Sequence, residues 1–175
     1  MKQHHVFSFL QRMGKSFMLP IAVLPVAGIF LGVGSSLTNE TTIMALHLSS
    51  ILGQGTFLYS VLILLKKVGN ILFDNLPLIF AVSIALGMSK RRKEVAALAA
   101  IIAFFVMHAT INALLCLDGS IVNGVVSGQA LDGSITWVCG MLSLEMGVFG
   151  GIIVGLGVSY LHNRFYQIQL PNVIS

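Results

Sequence analysis

The stretch Ile71–Leu115, ILFDNLPLIFAVSIALGMSKRRKEVAALAAIIAFFVMHATINALL, decides the fold class. It consists of two long apolar runs on either side of one knot of positive charge, Lys90, Arg91, Arg92 and Lys93. Each run is close to the roughly 20 residues that an α-helix needs to cross a bilayer. Each also carries polar residues where hydrocarbon disfavours them: Asp74 and Asn75 in the first, His108 and Asn112 in the second.

Composition extends this reading to the whole chain. Hydrophobic residues make up 56% of the 175 and charged residues 9%, where a soluble domain carries about 25% charge. With a mean hydropathy of +0.93, the chain lacks the polar surface to face water all round. An all-α polytopic membrane protein is expected. The net charge of +4 does not point to nucleic acid, because the basic residues sit at the ends of apolar runs, where they record membrane orientation. Cys116 and Cys139 stand without metal-ligand spacing, so neither a metal centre nor a disulfide framework is indicated. No Ser-His-Asp pattern, phosphate-cradling loop or cofactor motif is present, and no catalytic residue, metal or cofactor is assigned.

Working outward, residues 1–16 mix apolar and basic positions and read either as a short amphipathic helix on the membrane surface or as a frayed leader that only sets orientation. They lack a signal-peptide cleavage pattern and are read as a retained cytoplasmic segment. Four transmembrane helices are expected, at about 17–37, 68–88, 94–117 and 138–161. Residues 50–67 are apolar but interrupted, and are read as an interfacial or re-entrant segment. This count places Lys2, Arg12, Lys15, the cluster at 90–93 and Arg164 on one side, as the positive-inside tendency asks. Both termini are then cytoplasmic, in a multi-pass protein. Asp118–Ser134, with Asp-Gly-Ser twice, predicts a turn-rich loop. Gly28 with Gly32, and Gly147 with Gly151 and Gly155, repeat every four residues and predict faces where helices approach closely.

Intramembrane polar residues face the bundle interior and seek partners. At about 1.5 Å of rise per residue, the predicted spans put Asp74 about 9 Å, Asn112 about 8 Å, His108 about 14 Å and Glu145 about 10 Å from one membrane face. His108 and Asn112, four residues apart, share a helix face. The four form an expected polar layer. It reads either as a hydrogen-bonded lock between helices or as a polar vestibule met by sugar or water, with Glu145 and Asp74 alternatively lying near the interface and solvated.

Four stretches, in order, carry a family resemblance. They are Phe17–Gly34 (FMLPIAVLPVAGIFLGVG), Phe73–Ala81 (FDNLPLIFA), Glu94–Ala100 (EVAALAA) with Met107–Asn112 (MHATIN), and Gly147–Gly155 (GVFGGIIVG) with Leu161–Phe165 (LHNRF) and Gln169–Pro171 (QLP). Together they resemble the glucose-type sugar permeases of the bacterial phosphotransferase system, the enzyme IIC components. Glu145 stands where that family commonly has an aspartate.

The resemblance implies a bacterial cytoplasmic-membrane permease that carries a sugar inward for phosphorylation by a phosphocysteine on a partner IIB domain. It also implies that residues 1–175 correspond to the N-terminal half of a permease domain, supplying scaffold and dimer contact and not competent alone. The second half of the permease and the IIB domain are not among these residues, and the family's sugar-binding residues, which belong to the second half, have no counterpart here. The expected partners are the bilayer, a second copy or a permease second half, a IIB domain and a sugar. The alternative is a non-transporting membrane interaction protein that pairs with a full-length or split permease through its glycine faces.

Overall fold

A computed structural model describes residues 2–127 and 133–168, with side chains from Phe7 onward. Asp132 of the second Asp-Gly-Ser and the Gln169–Pro171 motif lie outside the described residues. The chain divides into two compact units, one of residues 19–75 and one joining residues 1–18 to 76–175. Both are built mainly from helices.

The smaller unit contains most of α2 (Met18–Leu37), then α3 (Glu40–Ala45), α4 (Ser49–Leu52) and α5 (Phe57–Asp74). Two glycines bring α2 and α5 together. A Cβ on Gly34 would lie 2.6 Å from the Lys66 backbone nitrogen, and one on Gly69 would lie 2.6 Å from that of Leu31. Partner numbers fall along α5 as they rise along α2, so the helices are antiparallel. Ile43, Leu52 and Leu62, from α3, α4 and α5, form a small apolar cluster. Asn39 starts α3 by accepting from the Thr41 amide at 3.0 Å, and Thr56 starts α5 by accepting from the Tyr59 amide at 3.3 Å; both are side-chain N-caps.

The helical runs differ from the sequence expectation in this region. Residues 57–67, expected to be interfacial, are the first half of α5, which passes through Lys66 and Lys67 without interruption. The expected span at 68–88 is instead broken at Asn75, between α5 and α6 (Leu76–Met88). Pro77 explains the break. A proline inside a continuous helix loses one hydrogen bond and collides with the carbonyl four residues back, whereas near a helix start it leaves little unsatisfied. Asn75 closes α5 by donating its side-chain Nδ2 to the Ile71 carbonyl at 2.8 Å.

The larger unit contains α1 (Lys2–Ser16), α6, α7 (Lys93–Leu117), two antiparallel hairpins and α8 (Gly147–Phe165). Gly151 and Gly155 of α8 meet α6: a Cβ would lie 1.9 Å from the Pro77 carbonyl oxygen and 2.7 Å from that of Ala81. Partner numbers rise together, so α6 and α8 run parallel. Ala85, Ala96 and Ala100, none of them exposed, seal α6 against α7. Phe104 fills the space between Ala81, Val138 and Val154. Small residues at the crossings and one large ring between them give close packing where lipid supplies no hydrophobic drive. Phe17 stacks edge-on against Phe80 at 5.6 Å, holding the end of α1 on α6.

The hairpins replace structure expected to be loop and helix. Strands β1 (Ile121–Val122) and β2 (Val125–Val126) pair across Asn123-Gly124. Strands β3 (Ile135–Val138) and β4 (Met141–Leu144) pair across Cys139-Gly140. Both turns have two central residues at positive φ, +52° and +74° in the first and +49° and +86° in the second, the geometry that matches strand twist. Helix α8 therefore begins at Gly147, nine residues after the expected start at Val138.

By length and apolarity, Phe7–Leu37 and Lys93–Leu117 are each able to cross a membrane, and the interrupted α5–α6 pair is a third candidate. Helix α8 falls outside this set, because its glycines and the His162-Asn163-Arg164 end lower its apolar content.

Candidate functional site

Helix α7 presents His108 and Asn112, one turn apart, to strand β4. His108 is 2% exposed and Ser143 is fully buried, and His108 Nδ1 lies 2.7 Å from Ser143 Oγ. The Phe104 ring packs on the imidazole at 4.6 Å. Asn112 Nδ2 donates to the Leu142 carbonyl at 2.6 Å. These bonds tie the β3–β4 hairpin to the helix.

The His108–Ser143 spacing is that of a base and a nucleophile. A serine with no exposed surface gives a substrate nothing to approach; in this conformation the pair is a buried hydrogen bond between α7 and β4.

Glu145 lies outside the helix that was expected to contain it. It is exposed and sits between β4 and α8. Its carboxylate accepts from the Thr136 hydroxyl and from the Gly147 amide at 3.1 Å. A carboxylate at a helix N-terminus satisfies an otherwise orphaned amide and complements the helix dipole. Its depth within a span, on which the polar layer counted, has no counterpart in this geometry. Asp74 belongs to the smaller unit, exposed at the last residue of α5. His108, Asn112 and the hairpin that carries Glu145 thus come together in one unit, and Asp74 lies in the other.

Of the glycines, Gly151 and Gly155 are consumed within the chain, against α6. A Cβ on Gly28 or Gly32 would meet nothing within 4 Å, and one on Gly147 would touch only the Glu145 carboxylate, at 3.6 Å. Gly34 and Gly69, which sequence reasoning did not single out, make the close helix crossing of the smaller unit.

At the opposite end of the larger unit, α8 grips the turn that carries the basic cluster. Asn163 Nδ2 donates to the Met88 carbonyl at 3.0 Å, and Asn163 Oδ1 accepts from the Lys90 amide at 2.8 Å. His162 Nε2 lies 2.8 Å from the Arg91 carbonyl. Arg92, at φ +46°, turns the chain into α7. The Leu-His-Asn-Arg motif, noted in the sequence only for its resemblance, thereby gains a structural role. Among the described residues no group of three or more His, Cys, Asp or Glu could hold a metal ion.

Residues 14–175 match the family described as Phosphotransferase system, EIIC. The chain is also 39% identical, over 169 residues, to the PTS system glucose-specific EIICBA component of Staphylococcus saprophyticus subsp. saprophyticus, an alignment that covers 97% of this chain and 23% of that protein. The chain thus spans about a quarter of the length of that curated relative. The motifs from Phe17 to Phe165 fall within the matched residues, on a helical membrane scaffold, and the chain belongs to the EIIC family of the phosphotransferase system.

Proposed function

We propose that this chain is part of a sugar permease of the glucose type. In this role it supplies the membrane scaffold of a unit that moves sugar inward and presents it to a phosphorylated IIB domain. The observation that carries the proposal is the family match over residues 14–175, together with 39% identity to a component named as glucose-specific and fused as EIICBA. The packing supports a scaffold role. The polar groups of α7 are spent on the hairpin, and the glycines of α8 are spent on α6.

In the same proposal the chain crosses the membrane four times, with α8 as the fourth crossing and the interrupted α5–α6 as the second. The Lys90–Lys93 turn and both termini face the cytoplasm, the β1–β2 hairpin faces outward, and the β3–β4 hairpin folds back against α7. The charge distribution supports this orientation. The His108–Ser143 and Asn112–Leu142 bonds then form an intramembrane lock near the outer surface. The chain works beside the remainder of a permease, contributed by a further segment or a second polypeptide.

The test is uptake and phosphorylation of radiolabelled glucose in cells lacking their own glucose permease. Residues 1–175 alone are expected to give background uptake, and co-expression with the remaining part of a glucose-type permease is expected to raise it. Phosphorylating uptake by the 175 residues alone would overturn the scaffold assignment. The Gly151–Gly155 face gives little support to the alternative of a non-transporting interaction protein, since it is already packed on α6, whereas the Gly28–Gly32 face meets nothing within the chain.

A further inference from the structure

The end of the larger unit that carries the basic cluster has two adjoining depressions. The larger, about 850 Å³, has apolar walls that include Phe9, Leu156 and Tyr160 and a rim formed by Arg12, Lys90 and Arg164. The smaller, about 310 Å³, is bounded by Arg12, Gly87, Ser89, Lys90 and Lys93. Arg12 and Lys90 border both. No carboxylate lines either one, and Glu94, the acidic residue nearest in sequence, is not among the lining residues.

The fold holds these cations in place. Gly87 lets α1 come against the end of α6, because a Cβ there would strike Ser16 Oγ. Ser16 in turn donates to the Arg12 carbonyl at 2.9 Å, fixing the backbone from which the guanidinium extends. Lys90 is anchored by its amide on Asn163.

Ser89 is a second and independent pointer. Its side chain is buried, at 4% exposure, and its hydroxyl has no hydrogen-bond partner among the described residues. A buried hydroxyl left unpaired is costly and calls for a partner. Ser89 borders the smaller depression, where an anion would supply that partner.

We propose that the two depressions together bind one anionic phospholipid. Its phosphate sits among Arg12, Lys90 and Lys93, with Ser89 donating, and an acyl chain lies along Phe9, Leu156 and Tyr160. Guanidinium and ammonium groups favour phosphate oxygens. The apolar wall selects a lipid over a free ion, which would leave that wall unused. A basic amphipathic helix beside the site is the pattern of an anionic membrane surface.

Native mass spectrometry of the full chain, extracted in mild detergent and offered dioleoyl-phosphatidylglycerol or dioleoyl-phosphatidylcholine, tests the proposal. One phosphatidylglycerol is expected to be retained in preference to phosphatidylcholine. The double variant Arg12→Gln/Lys90→Gln is expected to lower that affinity roughly 25-fold, about fivefold for each cation. The charge-matched control Lys66→Gln/Lys67→Gln is expected to retain the lipid as the unmodified chain does. Equal retention of the two lipids, or unchanged retention by the double variant, would overturn the proposal. Displacement by millimolar inorganic phosphate would overturn it too, by assigning the site to a free anion. An arm that needs no variant uses phosphatidylglycerol with a photoreactive acyl chain on the unmodified protein. Labelling at residues 156–160 or at Phe9 is expected, and labelling confined to other segments would refute the site.

Discussion

Gly151 of α8 rests against the backbone of α6 so closely that a Cβ would come within 1.9 Å of the Pro77 carbonyl oxygen. Nothing at this contact can move aside cheaply, because the opposing atom is main chain at the start of a helix. Gly151→Ala is therefore expected to force α6 and α8 apart, with an overpacking cost of about 1–3 kcal/mol. Gly28→Ala meets no atom within 4 Å and gains up to about 1 kcal/mol of helix propensity. Thermal unfolding in detergent should show a lower midpoint for the first variant and an equal or higher midpoint for the second. Equal midpoints for Gly151→Ala and the unmodified chain would remove this contact from the account of the fold.

The His108–Ser143 pair makes a different prediction. Removing one partner leaves the other buried and unmatched, at about 1–3 kcal/mol. His108→Ala adds a cavity beside Phe104, so it should cost more than Ser143→Ala. The second substitution should cost little once the first is made, because the unmatched group is gone. A double-mutant cycle on denaturation midpoints should return a coupling of about 0.5–3 kcal/mol. Strict additivity would mean that the two side chains do not share a bond.

How much of this was legible beforehand depends on what the residues compete with. Lys90–Lys93 announced a helix boundary because four adjacent cations cannot sit in hydrocarbon, and α7 does begin at Lys93. The family was legible from ordered motifs, since they span the chain. The β3–β4 hairpin was not, because Ile-Thr-Trp-Val and Met-Leu-Ser-Leu are as apolar as a span and their turn rests on a cysteine at positive φ, which few sequences signal. Asn123-Gly124 did carry a hairpin signal that the flanking Asp-Gly-Ser repeats obscured. Glu145 was misplaced for the same reason as the hairpin. A charge inside an apolar run looks intramembrane until the run is seen to fold back on itself. Gly34 and Gly69 escaped notice because they are single glycines on separate helices, and only the fold shows them facing opposite backbones.

The two cysteines offer a readout of orientation. Cys116 is exposed in the last turn of α7, and Cys139 is half-buried in the β3–β4 turn. Cys139 packs against the cluster of Ala81, Phe104, Val138 and Val154, so its labelling should be slower. In the proposed orientation a membrane-impermeant maleimide should label Cys116 in intact cells, and the Cys116→Ala variant should react slowly from the same side. Labelling that requires inverted vesicles would reverse the orientation, and with it the assignment of the basic turn to the cytoplasm.

Asn163 gives the last prediction, because one side chain both donates to Met88 and accepts from Lys90. Asn163→Asp keeps the acceptor for the Lys90 amide but places a carboxylate oxygen against the Met88 carbonyl, two acceptors with no proton between them. Asn163→Ala loses both bonds but creates no repulsion. Each exposed or half-buried bond contributes about 0.5–1.5 kcal/mol, so the alanine variant should lose about 1–3 kcal/mol in all. The aspartate variant should lose less than alanine at low ionic strength, because Lys90 and Arg164, on the rim of the same depression, offset the new charge. Screening by salt weakens that compensation, so the aspartate variant should lose stability as salt is raised while the alanine variant changes little. Identical salt dependence for the two would show that the cations do not face Asn163, and would undercut the electrostatic geometry assigned to this end of the protein.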